Sequence, residues 1–528
     1  MPGTVEPAAH PGSLHRPATQ ADLLVRSLTR DRSRPVLYMG DDVLTAGQFA
    51  DEISRYVQAW QDWGITVGSG VAILSPNRPE VLISMGAALV AGVVWTPLHP
   101  LGSLEDQAFI LADAGVETLL FDPVAFGDRA AQLGERAPSL KRLIALAPTN
   151  DAEDIATRAA QFGARHLSAP NVRLSDPSWI VYTGGTTGRP KGVVTTHQGI
   201  ATMTDIQMAE WDWPRELRTL CVTPLSHASS ALFLPTVLRG GSLVVTSSFD
   251  PDQFLVLIKR YRITATFLVP TMIYRLLDHH RLRTADLSSL ETLFYGASAM
   301  SPSRLAEAME TLGPIFFQFY GQAECPMTVT VLRKKQHHPD RLASCGQPVP
   351  WLDVALLDDD GREVDTGEPG EICVRGPLVM ARYHNQPDQT AEAFRHGWLH
   401  TGDIATADHD GFLTIVDRKK DMIVTGGFNI FPREVEDVLA THPEVSAAAV
   451  IGVPDPIWGE AVKAVVVRCP GASVRAEDLV RLVKERKGPA AAPKSVDFVD
   501  TIPLSPLGKP DKKALRAAHW TGSARNVS

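Results

Sequence analysis

The sequence predicts an α/β protein with a large N-terminal domain and a small C-terminal α+β domain. Of its 528 residues, 44% are hydrophobic and 21% are charged, a composition typical of globular proteins. Through most of the chain, short apolar runs alternate with segments of helical period, which favours βαβ units. Near residue 417, a cluster of charged residues is followed by a shorter, self-contained series of elements.

The large domain is predicted over residues 22–417, after a flexible leader at 1–21 that lacks the apolar region of a secretory signal. Its first helix is expected near Asp22, and a second one at 49–60. Strands are expected at 71–75, 93–98, 118–122, 143–147, 265–269 and 292–296.

The least polar stretch of the chain, at 81–98, is long enough for a short membrane span. Gly86, Gly92 and Pro97 interrupt this stretch, so we expect a buried helix that runs into a strand, and no membrane span.

The small domain is predicted over residues 422–528, after a hinge at 418–421. Pro432 suits the first turn of a helix. A second helix is expected at 476–487, and strands are expected at 447–453, 461–467 and 496–500. The tail after Leu515 carries no fold signal.

Charge and cysteine content exclude several classes of function. The formal net charge is −9, so no overall positive field exists to hold nucleic acid or an anionic membrane, and an anionic ligand needs a local site. The five cysteines are scattered without a CxxC pair, which indicates neither a disulfide framework nor a zinc site. They fit a reducing cytosol, and a cytoplasmic location is expected.

The most informative local feature is the run of glycine, threonine and basic residues at 182–192. Its glycines free backbone N–H groups, its threonines offer hydroxyls, and Arg189 and Lys191 supply positive charge, which together suit a phosphate. The loop is not a Walker A motif, because Lys191 lies between Pro190 and Gly192. Taken alone, the loop is more typical of an ordinary glycine-rich hairpin.

A series of short motifs in a fixed order changes that interpretation. The motifs are the loop at 182–192, Pro224-Leu-Ser-His227, Tyr295-Gly-Ala297, Tyr320-Gly-Gln-Ala-Glu324, Gly370-Glu371, Gly376-Pro377, Thr401-Gly-Asp403, Asp417-Arg-Lys-Lys-Asp421, Gly426-Gly427, Trp458-Gly-Glu460 and Pro506-Leu-Gly-Lys509. With them the chain resembles, over nearly all of 22–515, the adenylate-forming superfamily of acyl-CoA synthetases, nonribosomal adenylation domains and firefly luciferase.

The resemblance implies a large domain of two α/β subdomains and a distorted β-barrel, followed by a mobile small domain. It also implies a reaction in two steps. A carboxylate and ATP give an acyl-adenylate and pyrophosphate, and a thiol then displaces AMP to form a thioester. ATP, Mg²⁺ and CoA are the implied cofactors and co-substrates. A carboxylate and a triphosphate repel each other, so the enzyme must screen charge and create a leaving group.

Site residues follow from the same resemblance. The residues implied to bind ATP are Thr183, Gly184, Gly185, Thr186, Thr187, Gly188, Lys191, Gly296, Ala297, Tyr320, Gly321, Gln322, Ala323, Asp403 and Arg418. Among them, Asp403 would accept the ribose hydroxyls. Glu324 is the implied Mg²⁺ ligand, and Lys509 is the implied catalytic residue of the first step.

For the second step, the resemblance places Lys420 at the hinge and assigns the pantetheine path to four residues, Gly426, Gly427, Trp458 and Gly459. Read without the family, the 417–421 stretch is a polar linker and the glycines are ordinary turns. The chain also departs from the family. Ala323 stands where threonine is most frequent, Gly184 stands where serine is common, and the last motif lacks the more usual arginine. We expect slower adenylation from the missing hydroxyl at 323.

The substrate is expected to be a hydrophobic carboxylic acid, fatty or aromatic. Members of the family that activate amino acids carry an aspartate shortly after the motif that ends at His227, whereas no acidic residue follows it here. The residues that the resemblance places in the acyl pocket are small or apolar for the most part. They are His227, Ser229, Ser230, Phe294, Ala297 and Cys325. His227 is expected to act as a gate or a neighbour of the carboxylate, or merely to fill space.

Free CoA is the expected acceptor, because no carrier domain follows Leu515. The alternatives are an acyl-AMP ligase that loads a separate acyl carrier protein, and a nucleotide-binding pseudoenzyme. Lys509, Asp403 and Glu324 speak against the pseudoenzyme, whereas Ala323 speaks weakly for it.

Overall fold

The computed structural model describes residues 17–183, 189–418, 421–425, 428–455, 458–504 and 510–520. It has a large α/β domain and a small α+β domain, as the sequence predicts. The large domain contains two extended sheets and a third, four-stranded antiparallel sheet.

The first part of the large domain alternates helices and strands. Its elements are α1 (Gln20–Arg30), β1 (Pro35–Met39), β2 (Asp42–Thr45), α2 (Ala46–Asp62), β3 (Gly70–Leu74), α3 (Pro79–Ala91), β4 (Val94–Pro97), α4 (Leu104–Asp113), β5 (Thr118–Phe121), α5 (Pro123–Arg136), β6 (Arg142–Ala145), β7 (Glu153–Asp154), α6 (Ile155–Ala159), β8 (Pro177–Thr183) and β9 (Lys191–Thr196). The predicted strands at 71–75, 93–98, 118–122 and 143–147 and the helices near Asp22 and at 49–60 are confirmed.

The second part repeats the alternation and ends in the antiparallel sheet. Its elements are α7 (His197–Glu210), β10 (Arg218–Cys221), α8 (Phe233–Leu238), β11 (Ser242–Val245), α9 (Pro251–Tyr261), β12 (Ala265–Leu268), α10 (Pro270–Leu277), β13 (Thr292–Tyr295), α11 (Pro302–Leu312), β14 (Phe316–Tyr320), β15 (Thr330–Leu332), β16 (Gln347–Pro348), β17 (Asp353–Leu357), β18 (Gly370–Arg375), β19 (Arg382–Tyr383), α12 (Pro387–Ala393), β20 (Leu399–Ala407) and β21 (Leu413–Arg418). Short 3₁₀ helices lie at Ala228–Leu232, Leu282–Thr284, Lys334–Gln336, Pro339–Arg341 and Arg395–Gly397.

The strands form three sheets in this domain. The strand orders are β19-β9-β8-β4-β3-β5-β6-β7, β16-β15-β14-β13-β12-β10-β11-β1-β2 and β17-β18-β20-β21. The strands β4, β3, β5 and β6 run parallel in the first sheet, as do β10 to β14 in the second. Parallel neighbours end at the same edge of a sheet, and loops at that edge are where α/β proteins place their ligands.

The stretch at 81–98 forms the buried helix and strand that the sequence predicts, α3 followed by β4. Every residue of α3 from Val81 to Ala91 is buried, so the helix has no polar face. In the part of the chain that the structure describes, no helix is long and apolar enough to cross a bilayer.

The small domain consists of β22 (Ile423–Thr425), β23 (Phe428–Ile430), α13 (Pro432–Leu439), β24 (Val445–Asp455), β25 (Gly459–Arg468), α14 (Ala476–Lys487), β26 (Ser495–Phe498) and α15 (Lys512–Ala517). Its sheet has the order β23-β22-β25-β24, with β26 paired to β25. The predicted helices and strands of this domain are confirmed.

The C-terminal tail departs from the sequence prediction. Leu515, after which the sequence carries no fold signal, lies within α15, and this helix continues to Ala517. The indole of Trp520 donates to the carbonyl oxygen of Gly452 at 3.0 Å, and two ion pairs hold the helix to the rest of the domain. Apolar periodicity in the sequence does not predict such contacts, because they form between polar groups of residues that are far apart in the chain.

Candidate active site

Two motifs of the large domain meet where β13 and β14 end. These strands are parallel neighbours, so Gly296 and Ala297 lie beside the turn that begins at Gly321. A side chain at Gly296 would place its Cβ 2.5 Å from the carbonyl oxygen of Phe319, so only glycine lets the two strand ends approach this closely. At this edge Gly296 is buried and Ala297 is exposed, so a flat ligand could lie against the backbone at Ala297.

Asp403 lies at this edge and is 4% exposed. Its Oδ2 accepts hydrogen bonds from the Tyr320 hydroxyl at 2.8 Å and from Gln322 Nε2 at 2.6 Å. Gln322 also donates to the carbonyl oxygen of Thr401 at 2.9 Å. Burial, together with the Asp403 carboxylate, raises the pKa of Tyr320 well above its usual value, so the phenol stays a donor. The motifs at 320–324 and 401–403 are thus brought together.

A second carboxylate, Glu324, lies beside Tyr383, whose ring also contacts Lys191. The Tyr383 hydroxyl donates to Glu324 Oε1 at 2.8 Å, and Lys191 Nζ lies 5.1 Å from the centre of the Tyr383 ring. The backbone of Glu324 is held as well, because its carbonyl accepts the N–H of Met380 at 2.7 Å. Burial first, and then Glu324, raises the pKa of Tyr383. A carboxylate fixed in this way can hold a hard cation against phosphate oxygens.

The predicted phosphate loop joins β8 and β9, which form an antiparallel hairpin. Gly184, Gly185, Thr186, Thr187 and Gly188 lie outside the described residues, whereas Thr183 is the last residue of β8. Both ends of the loop are fixed against α4.

On the β8 side of the loop, the Tyr182 hydroxyl donates to Asp113 Oδ2 at 2.6 Å. On the other side, the Arg189 guanidinium lies 5.4 Å from the centre of the Phe109 ring. The Asp113 carbonyl oxygen also lies 3.0 Å from His384 Nε2, and the His384 backbone N–H donates to Gly192 at 2.7 Å. Residues at both ends of the loop are therefore joined to α4, directly or through His384.

His227 is paired with a second histidine, His99. The two rings meet edge to face with their centres 4.6 Å apart, and His227 Nδ1 lies 2.9 Å from the Ser226 hydroxyl. Burial, with a smaller contribution from His99, lowers the pKa of His227 to about 3, and burial lowers the pKa of His99. His227 is therefore neutral at pH 7 and can offer a hydrogen bond but no positive charge.

The residues predicted to line the acyl pocket fall into two groups. Phe294 and Cys325 are fully buried in the core of the large domain, where Phe294 packs against Trp211 and Trp213 at centre distances of 4.8 Å. Burial also raises the pKa of the Cys325 thiol. Their place in the pocket stays a prediction.

Ser229 and Ser230 lie in the short 3₁₀ helix next to His227. Ser229 is buried against Thr223, and the Ser230 hydroxyl donates to the carbonyl oxygen of His227 at 2.5 Å. Ser230 also lines a narrow cavity between helices and the first sheet. The other lining residues are mainly apolar: Gln20, Met85, Ala88, Leu89, Val93, Trp95, Ser178, Trp179, Met203, Ala231, Phe233 and Leu234.

The remaining predicted residues belong to the predicted hinge and small domain. Lys420, Gly426, Gly427 and Lys509 lie outside the described residues, as does the side chain of Arg418. The Arg418 backbone lies opposite Asp403 in the β20–β21 ladder. In the small domain, the Trp458 side chain is 49% exposed, and the backbone N–H of this residue donates to Asp455 Oδ1 at 2.8 Å. Gly459 pairs with Thr425 of β22.

Sequence reasoning missed four residues of this region, namely Tyr383, His99, Asp113 and Phe109. His99 follows β4 at the edge where parallel strands end, a position that could have marked it. Tyr383 is separated from Glu324 by 59 positions, and Asp113 from Tyr182 by 69, so no local pattern joins these pairs.

Comparisons with known proteins show the family of the chain. The AMP-binding enzyme family matches residues 24–384, and the AMP-binding enzyme C-terminal domain matches residues 434–509. The chain is 51% identical over 527 residues to the medium/long-chain-fatty-acid–CoA ligase FadD8 of Mycobacterium tuberculosis, covering 97% of this chain and 92% of that protein. It is 38% identical over 474 residues to a feruloyl-CoA synthase of an Amycolatopsis species, covering 89% and 93%.

Among solved structures, the amide bond synthetase McbA from Marinactinospora thermotolerans superposes with a TM-score of 0.86 at 33% identity. The match covers 94% of this chain and 99% of that one. The likeness extends through both domains.

Proposed function

The chain belongs to the AMP-binding enzyme family and is an AMP-forming acid–thiol ligase, and from this premise we propose that its acid is a medium- or long-chain fatty acid. The enzyme joins a hydrophobic carboxylate to the α-phosphate of ATP, giving an acyl-adenylate and pyrophosphate, and then transfers the acyl group to the thiol of CoA, releasing AMP. The observation that carries the proposal is that Tyr320, the last residue of β14, donates to Asp403, while Glu324, four residues further along, accepts from Tyr383, whose ring lies against Lys191. The choice of acid is supported by the 51% identity to FadD8.

Asp403 is the residue we propose for the ribose. Tyr320 and Gln322 both donate to its Oδ2, which fixes the carboxylate. A fixed carboxylate accepts two hydroxyls at little entropic cost. The backbone at Gly296 and Ala297 is proposed for the adenine, and Gly321 and Ala323 for its surroundings.

Glu324 is the residue we propose for Mg²⁺. Within the described part of the chain, Tyr383 is the one group that hydrogen-bonds its carboxylate, through Oε1, so Oε2 is available to a hard cation. Such a cation would neutralise phosphate charge while the carboxylate attacks. Lys191 and the loop at 183–188 would hold the same phosphates.

His227 and the neighbouring serines are proposed for the acid. Since His227 is neutral, it does not attract the carboxylate by charge, and a role as a gate fits it better than a role as an ionic partner. The cavity behind Ser230 has a mainly apolar lining but a volume of about 20 Å³, room for a single water, so the choice of a fatty chain rests on the identity to FadD8.

Lys509 is proposed as the cation that relieves repulsion between the attacking carboxylate and the α-phosphate. Between the half-reactions, the small domain at 422–528 would turn against the large domain at 22–417 about the hinge at 418–421. Lys420 lies in that hinge. After this rotation, one surface of the small domain would line the path of the pantetheine arm for thioester formation, and Arg418 would lie beside the ribose. The residues proposed for this surface are Gly426, Gly427, Trp458 and Gly459.

An acyl carrier protein is the alternative acceptor, because its pantetheine thiol is the same nucleophile as that of CoA.

The cellular location is inferred from the cysteines: all five are free thiols, and four of them are buried. Free thiols support a reducing compartment, so we propose the cytoplasm.

The test is incubation of the protein with ATP, Mg²⁺, CoA and a panel of fatty, aromatic and short polar acids, followed by mass spectrometry of AMP, pyrophosphate and thioester. Acyl-CoA from C8 to C18 acids is expected. Turnover of short polar acids alone would refute the hydrophobic pocket. Pyrophosphate without a CoA thioester, restored by a carrier protein, would move the acceptor to that carrier.

A further inference from the structure

The strand that carries Asp403, β20, pairs irregularly with its neighbour β18 next to that residue. In the pairing of β18 with β20, Glu371 lies opposite Ile404 and Cys373 lies opposite His400. One residue separates the two pairs on β18, whereas Thr401, Gly402 and Asp403 separate them on β20. The strand therefore bulges at these three residues.

The bulge depends on an unusual backbone conformation. Gly402 has φ +72°, in the left-handed region that favours glycine. The ladder cannot satisfy the polar groups of these residues in the ordinary way, because β18 has too few residues opposite them. Side chains take over that function.

Glu371 forms the first of these side-chain hydrogen bonds with the bulged backbone. Its Oε1 accepts the backbone N–H of Gly402 at 2.8 Å, the residue next to Asp403. The Thr401 hydroxyl provides the others, since it donates to the carbonyl oxygen of Ile372 at 2.7 Å and accepts the Asp403 N–H at 3.1 Å. The two groups together determine where the Asp403 backbone lies.

The Glu371 carboxylate is itself fixed in the interior. The residue is 5% exposed, Oε2 lies 3.0 Å from His400 Nδ1, and Arg395 Nη2 lies 3.6 Å from Oε2. A buried carboxylate is costly unless it is paired, and the guanidinium provides the compensating charge.

A metal ion is a less suitable occupant of this cluster. The donor atoms of Glu371, Cys373 and His400 lie within 4.8 Å of one another. However, one carboxylate oxygen already accepts the N–H of Gly402, and the other faces Arg395, whose charge would oppose a cation. The contacts of Glu371 therefore stabilise the bulge of β20.

We propose that Glu371 is a positioning residue of the nucleotide site: by holding the bulge at 401–403 it sets the place of the Asp403 carboxylate and so the enzyme's selection for the ribose hydroxyls. This inference rests on the proposed role of Asp403. It adds a residue that does not touch the nucleotide and acts through the backbone of Gly402.

The test measures ribose selection rather than activity alone. The kcat/KM for adenylation is determined with ATP, 2′-deoxy-ATP and 3′-deoxy-ATP in wild type and in the variants Glu371→Ala, Glu371→Gln, Thr401→Val and Asp403→Asn. We expect Glu371→Ala to lower the preference for ATP over the deoxy nucleotides about tenfold, the usual consequence of one lost charge-assisted hydrogen bond. KM for the acid should stay unchanged. Glu368→Gln, at an exposed carboxylate in the turn before β18, is the matched control and should keep the full preference.

The outcomes distinguish the ribose role of Asp403 from the positioning role of Glu371. If Asp403→Asn keeps the preference for ATP, the ribose role of Asp403 is wrong. If Asp403→Asn loses it while folded Glu371→Ala and Thr401→Val retain it, the positioning role of Glu371 is overturned. Should Glu371→Ala not fold, Glu371→Gln decides. Its amide oxygen can still accept from Gly402 but no longer pairs with Arg395, and we expect about a threefold loss of preference.

Discussion

At the scale of single residues, Tyr383 is the contact on which we expect Mg²⁺ use to depend. Its hydroxyl donates to Glu324 Oε1 at 2.8 Å and fixes the carboxylate proposed for the metal. Removing such an outer partner typically costs about tenfold or more in metal affinity. We expect Tyr383→Phe to raise the Mg²⁺ concentration needed for half-maximal adenylation about tenfold, measured as pyrophosphate release across a Mg²⁺ titration.

The control for this variant is Tyr261→Phe, which removes an exposed hydroxyl that donates to the carbonyl oxygen of Gly40 at 2.7 Å. It should leave the titration unchanged. A Tyr383→Phe enzyme that is slower at every Mg²⁺ concentration, with the same midpoint, would show that Tyr383 does not act through the metal.

A second residue makes stability depend on pH. His337 is 8% exposed; its Nδ1 donates to the carbonyl oxygen of Arg333, and its Nε2 lies 2.9 Å from the Tyr295 hydroxyl. Burial lowers its pKa to about 4, against about 6.5 in the unfolded chain. As pH falls from 6.5 towards 4, the unfolded chain binds a proton that the native one does not, so the free energy of unfolding falls, by up to about 3 kcal/mol.

We expect His337→Gln, which can keep both hydrogen bonds, to lose less stability than wild type between pH 7 and pH 5. The measurement is urea unfolding followed by tryptophan fluorescence at the two pH values. His409→Gln, at an exposed turn between β20 and β21, should behave as wild type. Equal pH slopes in all three proteins would contradict the assignment.

At the scale of elements, α15 is the helix whose contacts we expect to matter for the first half-reaction. Arg516 lies 2.8 Å from Asp421 and Lys512 lies 2.9 Å from Glu436, with all four side chains no more than 16% exposed. The helix begins three residues after Lys509. A loosened helix would place that lysine less well, and Arg516→Ala should slow adenylation about tenfold, the equivalent of about 1.4 kcal/mol.

The matched control is Arg486→Ala, at an exposed position of α14. Both variants should form thioester from a preformed acyl-adenylate at the wild-type rate. If Arg516→Ala slows the two half-reactions equally, the ion pairs support the fold in general and have no particular connection with adenylation.

The elements also show what a sequence can reveal. The helix and strand at 79–97 were predictable because glycine and proline break an apolar run at fixed points. The motifs at 320–324 and 401–403 were predictable as parts of one site because the resemblance places them together. Tyr383, Asp113 and α15 escaped prediction for one shared reason, namely that each is defined by polar contacts between residues far apart in the chain.

At the scale of the whole molecule, one site must serve two reactions with opposite needs. Adenylation needs positive charge near two anions, whereas thioester formation needs a path for a neutral thiol arm. Lys509 belongs to the small domain and serves the first need in our proposal, while Gly426 and Trp458 serve the second. A change at Lys509 should therefore divide the half-reactions.

We expect Lys509→Ala to slow adenylation at least about a hundredfold, the usual loss when a group that stabilises transition-state charge is removed. Thioester formation from a synthetic acyl-adenylate and CoA should remain near the wild-type rate, because that step starts after the anions have been joined. The two rates are measured separately, by pyrophosphate exchange and by release of AMP. Lys513→Ala, an exposed lysine on α15, should leave both unchanged. Equal loss of both rates in Lys509→Ala would mean that the lysine supports the small domain rather than the chemistry of one step.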